Sequence, residues 1–269
     1  MDPCVEQPIR RFERGQFVAS IDPVIRETRI ELNVNEGSLR LTMLCLANEL
    51  PELAVGFLRS EGVLRRREDL EAVEYVEGDR TVFVRGSFDG DGLEAIRRRW
   101  TLATGCGGGG TSADLEHPGY PSVGEGPVVD PEALLELMRR FQNRMHLWKR
   151  TGGVHACSLA DGSGLVITAE DVGRHNAFDK VVGRAFLENV DCSDKLVLTT
   201  GRLSAEMVSK AIACGLPILA SRGAVTALGI DLARRFGITL VGFARGKRLN
   251  VYTGYQRIVA AAGGSGPPD

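Results

Sequence analysis

From Asp130 to Gly254 short apolar segments alternate with amphipathic ones, and no other feature constrains the fold as tightly. GVHACSL, LVITAED, KLVLTT, PILAS, ITLVGFA and LNVYTG read as strands. Segments from about Asn176 to Glu188, from about Ser204 to Cys214 and through Leu232 read as helices. Asp130 is a fitting N-cap, with Pro131 at the first helical position. Leu134, Met138, Phe141, Met145 and Trp148 then recur at steps of four and three, the buried stripe of a helix. Short buried strands alternating with such helices predict an α/β fold, a three-layer sandwich.

The first half reads differently. ETRIELNVN and SLRLTMLCL flank a turn at Asn35–Gly37, and EAVEYVE and RTVFVRG form a second pair around Gly78–Asp79. Between them PELAVGFLRSEG opens on Pro51 and stops at Gly62, the punctuation of a short helix. The Pro/Gly-rich stretch HPGYPSVGEGPVVD separates the halves. The expected organisation is therefore a smaller β-rich α+β N-terminal domain over 16–116, an α/β domain over 128–258, and a disordered tail over 259–269.

Composition narrows the function classes. The net charge of −2 over 269 residues offers no chain-wide attraction to nucleic acid or membranes, so any anion site is local. No apolar run reaches the roughly 18 residues of a bilayer span, and MDPCVEQPIRRFERG lacks the apolar core of a signal peptide. The six cysteines lie far apart with no CxxC pair, which fits neither a disulfide framework nor a zinc site and points to a reducing cytoplasm.

Three segments carry candidate chemistry. ATGCGGGGTSADLE places Cys106 before four glycines, which leave a thiol accessible and let backbone amides turn toward it. The alternative is a flexible linker with an incidental cysteine. Gly105, Gly107 and Gly110 spell G-x-G-x-x-G, but without a buried strand before them or a helix after them. EDVGRHNAFDK sets Asp171, Arg174, His175 and Asn176 at a strand end that opens a helix, a place where α/β proteins bind anions. Its alternative is an ion-paired helix start with Asp179 and Lys180 solvated. GFARGKR falls short of a P-loop, yet its three cations suit a diphosphate; the alternative is a basic exposed turn. HAC at His155–Cys157 lacks the H-x-E and P-C-x-x-C of zinc deaminases.

EDVGRHNAFDKVVG, TTGRLSAEMVSKAIACGLPILASR and ITLVGFARGKRLNVYTG together resemble the formate dehydrogenase accessory sulfurtransferases, as do NELPELAVGFLRSEGVL and TGGVHACSL. The resemblance runs from Glu27 to Gly254. It implies a larger domain with a cytidine deaminase-like fold lacking the zinc ligands. It also implies a cytoplasmic sulfur carrier and homodimer. Such a carrier takes sulfur from a cysteine desulfurase as a persulfide and passes it to the molybdenum of bis(molybdopterin guanine dinucleotide), before that cofactor enters formate dehydrogenase. By similarity Cys106 is the persulfide cysteine. Phe243, Ala244, Arg245, Gly246, Lys247 and Arg248 match the cofactor-binding stretch, and Arg174, His175, Arg202 and Arg222 are further candidates for cofactor binding; no metal ligand is expected. The family loop commonly carries C-x-x-C, where this chain has Gly109 in place of the second cysteine. Two rivals are a cofactor-binding chaperone without sulfur chemistry and a nucleotide-binding enzyme unrelated to sulfur.

Overall fold

The computed structural model describes residues 2–102 and 122–260. Cys106, Gly109, the G-x-G-x-x-G glycines and the tail beyond residue 260 lie outside the described residues.

The second half folds around a six-stranded sheet. Its strands are β7 (His155–Asp161), β8 (Gly164–Asp171), β9 (Leu196–Thr199), β10 (Ile218–Ser221), β11 (Thr239–Arg245) and β12 (Arg248–Thr253), in spatial order β12-β11-β10-β9-β7-β8. β9, β10 and β11 run parallel, and β7 and β12 are antiparallel to their neighbours. Alternation along the strands sends side chains to two cores. Val197, Leu219 and Leu240 meet the helices α5 (Arg174–Leu187), α6 (Ala205–Ala213) and α7 (Ala227–Phe236) on one face. Leu196, Leu198, Ile218, Ala220 and Val241 meet α3 (Pro131–Arg144) on the other. Helix, sheet and helix thus form the three layers expected.

The first half holds a four-stranded sheet of β3 (Thr28–Val34), β4 (Leu39–Cys45), β5 (Leu70–Val76) and β6 (Thr81–Gly86), in order β4-β3-β6-β5. Helix α1 (Leu50–Ser60) packs its apolar face on this sheet, with Leu53, Val55, Phe57 and Leu58 buried. Its other side crosses α5. At the crossing two glycines face each other: a Cβ on Gly56 would lie 1.7 Å from the Asp179 carbonyl oxygen, and one on Gly183 would lie 1.9 Å from that of Glu52.

The same helix pair carries buried charge. Asp179 accepts from the Ser60 hydroxyl at 2.7 Å and from Lys210 Nζ at 3.0 Å. Lys180 Nζ lies 2.7 Å from Asp171, whose carboxylate also accepts from the Leu46 amide at 3.0 Å. Burial pushes the Asp179 carboxyl up despite Lys210 and Ser60. Burial also works against the Lys210 charge, yet Asp179 and Glu61 outweigh it and raise the ammonium above its ordinary value. Removing one partner of a buried pair costs about 3–5 kcal/mol, since the other charge is left alone. Asp179 and Lys180 are therefore not the solvated residues of the ion-paired helix start; they join the two halves.

Elements the sequence reading lacked also appear. β1 (Cys4–Glu13) and β2 (Gln16–Ile25) form a two-stranded ribbon. Its strands contain Pro8 and Pro23, tolerated because a lone ribbon has only edges. Helix α2 (Gly90–Leu102) begins GDG, a poor helix opening by propensity, and is started by the Asp89 carboxylate accepting from the amides of Asp91 and Gly92. No helix among the described residues is long and apolar enough to cross a membrane.

Candidate functional site

The parallel strands end together, and a cleft of about 450 Å3 opens along that edge. Trp148, His155, Thr200, Arg222, Gly223 and Arg245 line it. It lies outside the carboxyl ends of β9, β10 and β11, the usual ligand position of an α/β sheet.

The loops leaving these strands are laced to one another. The Arg222 amide donates to the Thr199 carbonyl, and the Ser221 hydroxyl to the Gly201 carbonyl at 2.5 Å. The Gly223 amide donates back to Ser221 Oγ, and the Phe243 amide to the Gly223 carbonyl. Gly201 is needed here, because a Cβ on it would come within 2.8 Å of Arg174 Cβ. Such lacing fixes the backbone that carries the cations, so little ordering is left for binding to supply.

Arg222 and Arg245 line the cleft. Arg174, His175 and Arg202 flank it around His155, whose imidazole is pushed below its ordinary value by burial and then by these three neighbours. His155 Nδ1 sits 3.2 Å from Thr200 Oγ1, which also accepts from the Ala156 amide. Glu206 lies 3.2 Å from His175 Nε2 and 3.6 Å from Arg174 Nη2, and the nearby His175 imidazole leads the influences that hold its carboxyl below the usual range. The Nε atoms of Arg174 and Arg222 are buried without a hydrogen-bond partner among the described residues.

The GFARGKR segment is the end of β11, a two-residue turn and the start of β12. Gly246 takes φ +62° in that turn, as such hairpins require. Between the Gly242–Asn250 and Arg245–Arg248 pairs β11 holds one extra residue, a bulge formed with Phe243 at φ +51°. Ala244 is fully buried in the core on the α3 side of the sheet. Arg245 reaches the cleft; Lys247 and Arg248 are exposed at the hairpin tip and do not line it.

The EDVGRHNAFDK motif divides its work. Arg174 and His175 belong to the rim of the cleft, whereas Asp171, Asn176, Asp179 and Lys180 fasten the halves together: Asn176 donates to the Leu44 carbonyl and to Asp171. Glu170 accepts from the amides of Leu147 and Trp148 at 2.9 and 2.8 Å. That contact overturns one expectation. The apolar stripe of α3 does not extend to Trp148, because Glu170 starts a new short helix, α4 (His146–Thr151), beyond the break at Met145. Trp148 is 40% exposed and lines the cleft. No group of three His, Cys, Asp or Glu among the described residues is placed to hold a metal ion.

A model of the FdhD/NarQ family matches residues 25–259. The chain belongs to that family. A relative named sulfur carrier protein FdhD from Wolinella succinogenes is 40% identical over 88% of this chain and 82% of its own. One of the same name from Streptomyces coelicolor is 38% identical over 94% of each chain. The crystal structure of a candidate formate dehydrogenase accessory protein from Desulfotalea psychrophila superposes with a TM-score of 0.80 at 26% identity, covering 96% of this chain and 100% of that one. The family match begins at residue 25, where the β1–β2 ribbon ends.

Proposed function

We propose that this protein is a sulfur carrier for formate dehydrogenase maturation. Cys106 takes sulfur from a cysteine desulfurase, and the cleft holds the guanine dinucleotide end of bis(molybdopterin guanine dinucleotide) while its molybdenum receives that sulfur. The observation that carries the cofactor half is the set of guanidiniums at the cleft, with the inner nitrogens of Arg174 and Arg222 unpartnered in a laced backbone. Arginine forks match phosphate oxygens, and donors that water cannot reach gain most from an anion. The names of the relatives support the sulfur half.

The transfer balances without a metal in the protein. The Cys106 thiolate attacks the outer sulfur of a desulfurase persulfide; the S–S bond breaks and the desulfurase thiolate leaves. An external thiol then attacks Cys106 Sγ. It is oxidised to a mixed disulfide with Cys106, and the outer sulfur departs as hydrosulfide, reduced by two electrons. A second loop cysteine would supply that thiol internally; Gly109 does not. Mass spectrometry after incubation with a desulfurase and cysteine should show one added sulfur, removable by reductant. Absence of that mass would favour the chaperone rival.

Restoring the missing cysteine tests the release step. Gly109→Cys should form a reversible disulfide with Cys106 across the two intervening glycines. Maturation in cells should change little when external thiols already serve; a several-fold gain would show that release limits the native protein.

The phosphate contacts have their own test. A charge-assisted contact is worth roughly 1.5–3 kcal/mol, so Arg222→Ala and Arg245→Ala should each weaken GDP binding about tenfold to 150-fold. Arg248→Ala, at the exposed tip, should weaken it less. Calorimetry at fixed salt decides. Unchanged affinity in both cleft variants would mean that the nucleotide sits elsewhere.

A further inference from the structure

The cleft has an aromatic end that neither the family match nor the cations explain. Trp148 exposes 40% of its surface, although Met145 three residues earlier is fully buried. Leaving so large a ring in water forgoes much of the stabilisation its burial would bring. The ring's backbone is nevertheless held at several points. Glu170 takes the amides of Leu147 and Trp148, the Gly152 amide donates to the Trp148 carbonyl at 2.7 Å, and Thr151 Oγ1 links the Leu147 carbonyl to the Gly153 amide. Beside it Gly152 and Gly153 also line the cleft and offer bare backbone.

Position along the edge adds a direction. Trp148 is tied to Glu170 near the end of β8 and His155 starts β7, whereas Arg245 ends β11, three strands from β7 in the order β7-β9-β10-β11. At about 4.8 Å per strand the β7 and β11 positions along this edge stand roughly 14 Å apart. Arg222, from the β10 end, falls between them. An elongated ligand with a flat ring at one end and anionic oxygens at the other matches this layout.

We propose that Trp148 is the stacking platform of the cleft, receiving a fused nitrogen heterocycle, purine or pterin, whose attached phosphates reach Arg222 and Arg245. This assignment rests on the nucleotide reading of the cleft and adds the seat of its ring. Every base has a π-face, so a platform of this kind binds by stacking and leaves ring identity to other contacts. The phosphates then set which way round the ligand lies.

The chain has two tryptophans, so Trp100→Phe leaves Trp148 as the sole emitter. In that background GDP should quench emission, and pyrophosphate, which has no ring, should not. Trp148→Ala should weaken GDP binding about fivefold to 150-fold while leaving pyrophosphate affinity unchanged. Trp148→Phe, which keeps a ring and guards against misfolding of the alanine variant, should retain most of the affinity. Arg222→Ala should weaken both ligands. Neopterin, a pterin without phosphate, separates the sources: quenching by neopterin but not GDP assigns the seat to the pterin, and quenching by GDP assigns it to guanine. No quenching by either, or equal GDP affinity in Trp148→Ala and the parent, overturns the platform and leaves the arginine site standing. If neither GDP nor pyrophosphate binds the parent, the nucleotide reading falls and the platform with it.

Discussion

Replacing Cys106 by serine should abolish formate dehydrogenase maturation in cells that lack another carrier, while GDP binding stays at the parent's level. The other cysteines cannot substitute for it. Cys4, Cys45, Cys157 and Cys214 are buried, and Cys192 is partly so. Burial pushes the thiols of Cys45 and Cys214 up to about 12 and that of Cys192 to about 11, and it raises Cys157 as well. The thiolate is the nucleophile in persulfide exchange, and at neutral pH such groups hold it at roughly one part in ten thousand or less. A serine hydroxyl accepts no sulfur. Formate dehydrogenase activity in complemented cells should therefore fall to the level without any carrier. Full activity from the serine variant would remove the sulfur-carrier reading and promote the chaperone, which needs the cleft but not the thiol.

The second large effect is on stability. Gly183→Ala should destabilise the protein by roughly 3 kcal/mol, near the upper end for overpacking a well-packed contact. An exposed helical glycine replaced by alanine would gain up to about 1 kcal/mol from propensity, so the sign itself is diagnostic. The penalty arises because the new methyl would sit 1.9 Å from the Glu52 carbonyl and crowd the Gly56 amide, both backbone groups that cannot rotate away. The helices would have to separate, loosening the Asp179–Lys210 and Asp171–Lys180 pairs beside them. Gly78→Ala, in open space, serves as the control and should be nearly neutral. Urea midpoints measured side by side check both. Equal midpoints for the two variants would mean that the crossing is not tight.

The periodic elements of the fold were legible because each is driven by burial. The strands of both sheets and helices α1, α3, α5, α6 and α7 announce themselves through apolar spacing and caps, down to Asp130 accepting from the amides of Glu132 and Ala133. The ribbon and α2 did not. β1 and β2 are largely exposed, so they show no alternation, and the glycines of α2 hide a helix set by one side-chain cap. Within the site Arg222 and Arg245 were within reach of sequence reasoning, since one follows and the other ends a buried strand. Trp148 was not: it falls in step with the α3 stripe, and only a carboxylate 22 residues later, Glu170, breaks the helix before it. The role of Asp179 and Lys180 was hidden for a related reason. Charge within a motif reads as solvated until the partners Ser60 and Lys210 are seen to arrive from other elements.

Those buried pairs also impose an order of events on synthesis. Leu46 waits for an acceptor 125 residues downstream, Ser60 for one 119 residues downstream, and Arg59 for the Ala213 carbonyl 154 residues away. Ribosomes add about 5–20 residues per second, so α1 emerges roughly 6 to 30 seconds before the groups that complete its far side. Throughout that interval the nascent first half presents a helix whose glycine face and polar ends have nothing to meet. Chaperone demand should therefore concentrate on chains stalled before residue 174, and ease once α5 has emerged.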